Sequence, residues 1–340
     1  MKRHYLVFSF VVLVGMLFGF MLIPQKNELS LLYLKDKDYA AALKSYKKEL
    51  SEGNLSVSVV IPMVHLYLQY GDVNSAVEAM ERFVDKNPNN ADALRKLGIL
   101  YQYAQRPNDY LHNLEKLNHI VPSEQTLREL SALYNFTAKY DGQIAVLQTL
   151  ANSYPASPKY LIDLANLQAS QRLIHNASDT LRLLKKRYPD VFSGDITELF
   201  INLLLDEGNP SEAFENASSW LSNHKDPYTA TRYASLLHFK SQPAFALQLL
   251  LPFSDVAAGH PNLLSEFSQL LIVNGREEEA FTRLKGLYER RLLPEKLYET
   301  FIELALSKKK YILAINAARQ ADFTKFPGGL IGLKECMISA

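Results

Sequence analysis

Residues 71–88 read GDVNSAVEAMERFVDKNP. Gly71-Asp72 precedes Ala76, then Phe83, then Pro88. Outward from this stretch the pattern returns: Pro88, Pro122, Pro155 and Pro189 follow one another at intervals of about 34 residues. Gly98 and Tyr101 precede Leu114, Leu117 and Pro122; Ala165 precedes Ala177, Leu181, Leu184 and Pro189. So regular a period marks a repeated supersecondary unit rather than a single closed core.

A small or apolar residue that opens the second half of each unit extends the register. It falls at Ala42, Ala76, Tyr110, Ile144, Ala177, Ala213, Ala246, Ala280 and Ala314, again spaced by about 34 residues. Only the step from Ala177 to Ala213 is longer, by two. Within Tyr39 to Leu50, apolar Tyr39, Ala42, Leu43, Tyr46 and Leu50 recur at helical spacing. Small residues let neighbouring helices approach and aromatics fill the gaps between pairs. Pro88 and Pro122 lie where a helix must stop. The two extra residues between Ala177 and Ala213 are expected near Asp206-Glu207-Gly208-Asn209-Pro210.

These residues resemble the tetratricopeptide repeat, a pair of antiparallel helices in about 34 residues. Gly98 and Tyr101 match its first helix. Asp38-Tyr39 with Ala42 and Tyr46, Gly71-Asp72 with Ala76, and Gly275 with Ala280 match its turn and second helix. The chain departs from the pattern at Tyr110 and Ile144, where alanine is usual, so those helix pairs are expected to sit farther apart. The resemblance implies an all-α fold, a right-handed superhelical solenoid of about nine TPR-like helix pairs over residues 24–325.

Composition narrows the function classes. With 37 basic and 36 acidic residues the formal net charge is +1, which offers no global field for nucleic acid. Hydrophobic residues at 48% and charged residues at 21% exclude a disordered composition. Cys336 is the sole cysteine, so no intrachain disulfide or cysteine-rich metal cluster forms.

The amino-terminal stretch reads differently. Lys2, Arg3 and His4 precede an apolar run from Tyr5 to Ile23 without a formal charge. That length predicts one transmembrane helix. The bulky run Phe20-Met21-Leu22-Ile23-Pro24 does not suit a signal-peptide cleavage site. The reading is therefore a cytoplasmic tail at 1–4, an anchor at 5–23, and repeats across the inner membrane, periplasmic in a bacterium. Gly15 and Gly19 form G-x-x-x-G, a face for an anchor-mediated homodimer. Residues 326–340 read as a tail or the start of a further segment.

No chemistry emerges from the remaining motifs. His65, His112, His119, His175, His224, His238 and His260 are scattered without an H-E-x-x-H pair. Asp206-Glu207 and Glu277-Glu278-Glu279 are read as solvent-facing acids at turns, and Lys308-Lys309-Lys310 as a solvated turn. Gly328-Gly329 opens no phosphate loop. Four Asn-x-Ser/Thr matches, at Asn54, Asn135, Asn176 and Asn216, are read as chance occurrences. No catalytic residue, metal or cofactor is expected, and the chain is read as a non-enzyme.

The resemblance supplies the binding surface instead, because in that family the first helices line a concave face on which peptides or proteins lie. Carried over by position, this implies His65, Leu68, Arg95, Ile99, Gln102, Lys159, Ile162, Asn166, Glu198 and Asn202. Ile99 and Ile162 interrupt the arrangement that grips a terminal carboxylate, so a broader protein surface is expected. The function implied is a membrane-anchored scaffold for envelope proteins, similar to proteins of exopolysaccharide synthesis and export. The alternatives are a solenoid that binds polysaccharide directly, or a regulator of a membrane-bound synthase.

Overall fold

The computed structural model describes residues 26–321. Over these residues the chain is all α-helical, with short 3-10 turns, and falls into two compact units that divide between Ser157 and Pro158. In the first unit eight helices form four pairs: α1 (Lys26–Lys35) with α2 (Tyr39–Ser51), α3 (Val57–Gln69) with α4 (Val73–Lys86), α5 (Ala91–Tyr103) with α6 (Pro107–Ile120), and α7 (Glu124–Phe136) with α8 (Tyr140–Ser153). In the second unit ten helices form five pairs. They are α9 (Lys159–Ser170) with α10 (Ile174–Arg187), α11 (Gly194–Asp206) with α12 (Pro210–His224), α13 (Pro227–Phe239) with α14 (Pro243–Leu250), α15 (Pro261–Val273) with α16 (Glu277–Glu289), and α17 (Tyr298–Ser307) with α18 (Tyr311–Gln320). Odd-numbered helices are the first of each pair. The fold is a tetratricopeptide-like array of paired helices.

One turn joins each first helix to its second. Its left-handed residue is Lys37, Gly71, Gln105, Ala138, Arg172, Gly208, Ser241, Gly275 or Lys309. The next residue's N–H then reaches back into the first helix: Asp72 N donates to Tyr67 O at 2.8 Å, and Arg106 N to Tyr101 O at 2.9 Å. This closure satisfies carbonyls that the helix end would leave bare. Glycine occupies the left-handed position at Gly71, where a Cβ would add strain. Asp38 and Asp72 then cap the second helices by accepting from Ala41 N and Ser75 N, both at 3.1 Å.

Alanines follow the turn at zero exposure: Ala42, Ala76, Ala177, Ala213, Ala246, Ala280 and Ala314. The bulky departure at Tyr110 is absorbed within its own hairpin. A Cβ on Gly98 would sit 3.0 Å from the Tyr110 ring, so the missing side chain makes the room the ring occupies.

Successive hairpins of the first unit are stitched by a tyrosine column. Tyr101 Oη donates to Glu81 at 2.9 Å and Tyr134 Oη to Glu115 at 2.6 Å, each reaching from a first helix to the preceding second helix. One repeat earlier Lys47 Nζ lies 5.2 Å from the Tyr67 ring centroid. Burial, and then the neighbouring carboxylate, pushes the Tyr134 phenol up to about 12. In the second unit the same register holds Gln168, Leu204, Leu237 and Leu271, all buried.

Two expectations are corrected. The extra residues between Ala177 and Ala213 are not at Asp206–Pro210, whose turn matches the others; the connection from α10 to α11 absorbs them, with a 3-10 turn at Pro189–Val191. The membrane-spanning helix is also withdrawn: among the described residues no helix is long and apolar enough to cross a membrane. The stretch 5–23 that prompted it, the tail 1–4, the Gly15/Gly19 dimer motif and residues 326–340 lie outside the described residues. The transmembrane element, inner-membrane and periplasmic placement, and membrane association through the N-terminal helix are therefore not carried further.

Candidate functional site

In the first unit, the first helices α3 and α5 bring five of the expected residues to two adjoining cavities that share Ile99. An apolar pocket of about 160 Å³ lies between α3 and α5, walled by Ile61, Val64, Leu68 and Met80, with His65, Ile99 and Tyr103 at its edge. Beside it, between α5 and α7, is a polar cavity of about 320 Å³ reached by Arg95, Ile99, Gln102, Tyr110, Asn113 and Glu129. Ile99 lines both and remains 51% exposed.

Gly98 sets the depth of the polar cavity by leaving space above Tyr110 and Asn113. Asn113 is buried and its Nδ2 donates to Leu94 O at 2.8 Å, which pins α6 against α5. Tyr110 Oη donates to Glu129 at 3.3 Å, and burial first, then that carboxylate, raises its pKa. Arg95 is held by Asp92 of its own helix at 3.0 Å, at the rim.

The second unit collects fewer of the expected residues. Lys159 pairs with Asp163 at 2.8 Å on α9, Ile162 and Asn202 are half-buried, and Asn166 is exposed; none of these four lines the cavities described here. Glu198 does line one, a cavity of about 720 Å³ bounded chiefly by α13 and α15. There Arg232 pairs with Glu198, and with Asp195 at 3.2 Å. His238 Nδ1 lies 2.9 Å from Glu266, and Lys296 donates to Asn262 at 2.5 Å while burial lowers its pKa. Tyr228 and Phe239 line this cavity at 67% and 82% exposure.

The positional reading stopped at Asn202 and so missed Thr231, Ser235 and Ser265. Each stands one repeat beyond its counterpart, Glu198, Asn202 and Thr231 in turn, in the same register, and all three line the cavity. Continuing the period would have reached them.

Of the acids read as solvent-facing, Glu277 and Glu278 are exposed, whereas Glu207 is largely covered within an ion-pair cluster. Arg182 joins Glu212 through two hydrogen bonds, at 3.0 and 2.8 Å, Asp179 at 2.8 Å and Glu207 at 3.1 Å. His175 Nδ1 lies 3.2 Å from Glu207, whose side chain is 9% exposed. Lys308 pairs with Glu278, and Arg276 with Glu279. The Arg182 cluster ties α10 to α11 and α12.

Burial alone would raise the Glu207 carboxyl, but hydrogen bonds from Ser178, Arg182 and His175 outweigh it and hold the group below its ordinary value. Such a carboxylate stabilises the fold above its unfolded pKa, and that contribution is lost as pH falls through the lower folded value. Arg182→Met is therefore expected to destabilise the second unit by about 1–3 kcal/mol near neutral pH. The gap from wild type should shrink as pH falls through the lowered folded value of Glu207. Urea titrations at about pH 7 and about pH 3 check this; a gap that does not narrow would contradict it.

Among the described residues no group of three or more His, Cys, Asp or Glu side chains is placed to hold a metal ion.

No family model matches the chain. It is 26% identical over 111 residues to the photosystem I assembly protein Ycf3 of Prochlorococcus marinus (strain MIT 9303), covering 30% of this chain and 64% of that protein. To the protein of the same name from Synechococcus sp. (strain CC9605) it is 25% identical over 104 residues, covering 28% and 60%. The chain thus spans 64% and 60% of the length of these curated relatives. Among solved structures it is similar to Naa15/Naa10 bound to HypK-THB, with 13% identity, 86% of this chain and 50% of that chain covered, and a TM-score of 0.51. A tetratricopeptide repeat protein from Parabacteroides merdae ATCC 43184 aligns at 12% identity over 72% of this chain and 97% of that chain, with a TM-score of 0.31. The Naa15 likeness concerns the helical-repeat fold alone.

Proposed function

We propose that this chain is a protein–protein interaction scaffold whose first unit holds an extended partner segment along α3, α5 and α7. The observation that carries the reading is the position of Ile99, shared by an apolar pocket and a polar cavity. An extended segment advances about 3.3 Å per residue and alternates its side chains. One apolar side chain therefore enters beside Leu68 and Ile99, while a polar neighbour meets Gln102, Arg95 and Glu129. Pockets of this mixed lining give orientation through a few polar groups and affinity through carbon surface. The placement among envelope and exopolysaccharide proteins rested on a membrane anchor and is not retained. The matched relatives are named as assembly proteins, which supports a role in bringing other proteins together without carrying over their partner.

Selection of displayed random peptides on the full chain tests this. Wild type is expected to enrich peptides with an apolar residue close to a polar one. Ile99→Asp should weaken the selected peptides by tenfold or more, about 1.4 kcal/mol. Because Ile99 is half-exposed, the thermal melt should hardly move. Equal binding by the variant would remove this groove from the function.

A further inference from the structure

The second unit carries an unusual cavity on its second-helix side, formed where one helix stops early. α12 runs 15 residues, but its neighbour α14 runs only 8. Second helices α4, α6, α8 and α10 each run 14. Pro252 explains the stop: it offers no N–H, and in a continuing helix its ring would clash with the carbonyl four residues back. The chain proceeds instead through 3-10 turns at Leu251–Phe253 and Ala257–Gly259 before α15 begins. The last turns of α12 consequently face a cavity of about 510 Å³ rather than a helix.

Its chemistry is one-sided. Leu221, Leu249 and Phe253 form buried apolar walls, and Val256, 47% exposed, stands at the mouth. The single cation among the lining residues is Lys225, and no acid lines the cavity. Lys225 occupies a left-handed backbone position, φ 45°, at the end of α12. Among the described residues its ammonium has no hydrogen-bond or ion-pair partner. The adjacent Asp226 is committed to capping α13 through the Thr229 N–H at 2.9 Å. The Ser222 hydroxyl already donates to Ser218 O at 2.7 Å. Lys225 is therefore the charged donor at the rim, beside the neutral Gln248 and Ser218.

We propose that this cavity binds an acyl-chain monocarboxylate, with its hydrocarbon between Leu221, Leu249 and Phe253 and its carboxylate on Lys225. The volume lies in the range of small-molecule sites, and the carbon walls are joined by a few polar groups, Ser218, Ser222, Gln248 and Lys225, of which Lys225 alone is charged. A compact ammonium suits a single carboxylate as a point charge. The site is separate from the first-helix groove and stands or falls independently of it.

Calorimetric titration of the full chain with decanoate, below its micelle concentration, tests the assignment. Saturable binding at one site per chain is expected, with decanol binding about tenfold or more weaker because it lacks the charge. Lys225→Gly should lose the same factor while folding at least as well, since glycine suits the left-handed position. Val256→Trp, which fills the mouth, should block both ligands. Absence of saturable decanoate binding, or unchanged affinity in Lys225→Gly, would overturn the proposal. So would a peptide partner crosslinked at Val256 that decanoate fails to displace.

Discussion

Tyr233→Ala is expected to lower the stability of the second unit by about 3–5 kcal/mol, the range for removing a buried aromatic side chain. Tyr233 has no exposed surface. Its ring meets Trp220 edge-on, with centroids 5.8 Å apart, and its hydroxyl donates to Gly194 O at 2.8 Å. Trp220 in turn covers Gly194 so closely that a Cβ there would lie 3.2 Å from the indole. Three helices, α11, α12 and α13, thus meet at one aromatic centre. Tyr233→Phe keeps the ring and loses only the hydrogen bond, a change of about 1 kcal/mol. Repeat arrays couple through nearest neighbours. Hydrogen exchange should therefore show lost protection in α11–α13 of the alanine variant and little change in α3–α6. Equal loss in the distant helices would contradict that locality.

Gly98→Val is expected to destabilise the first unit by about 1–3 kcal/mol through overpacking. The new branches point at Tyr110, already at the limit for a single Cβ, and at Asn113 Nδ2, 3.2 Å from it. Valine and glycine are both poor helix formers, so propensity does not rescue the change. The informative variant is the double one. Gly98→Val with Tyr110→Ala reproduces the Val64–Ala76 combination that the preceding hairpin packs with both residues buried. A favourable coupling energy of about 0.5–3 kcal/mol should appear in the double-mutant cycle. Additive effects would mean that Gly98 and Tyr110 do not share the volume.

These two residues also show which parts of the fold could be read from sequence. The helix-pair array was legible because its markers recur along the chain: a small or apolar residue after the turn and prolines at helix ends. The exchange between Gly98 and Tyr110 was not, because each residue alone looks like an ordinary departure. The stop in α14 was equally hidden, since Ala246 keeps its register while the helix ends just after it. The groove residues of the first unit came from register and converge. Those of the second stopped at Asn202, so that of them Glu198 alone lines the larger cavity and Thr231, Ser235 and Ser265 were left out. The apolar stretch 5–23 was read from hydropathy alone, and no helix among the described residues takes the role assigned to it.

The aromatic centre of the second unit has an optical consequence. Trp220 is the chain's sole tryptophan, stacked on His224 at 4.0 Å and edge-on to Tyr233. Its emission is therefore a private signal of one unit, quenched or shifted only when that neighbourhood opens. The other unit has no indole; its tyrosines, such as Tyr67, Tyr101 and Tyr134, emit at a different colour, which they share with tyrosines of the Trp220 unit. A single heating run recorded at both colours would resolve two melting events in an unlabelled chain, or show one shared transition.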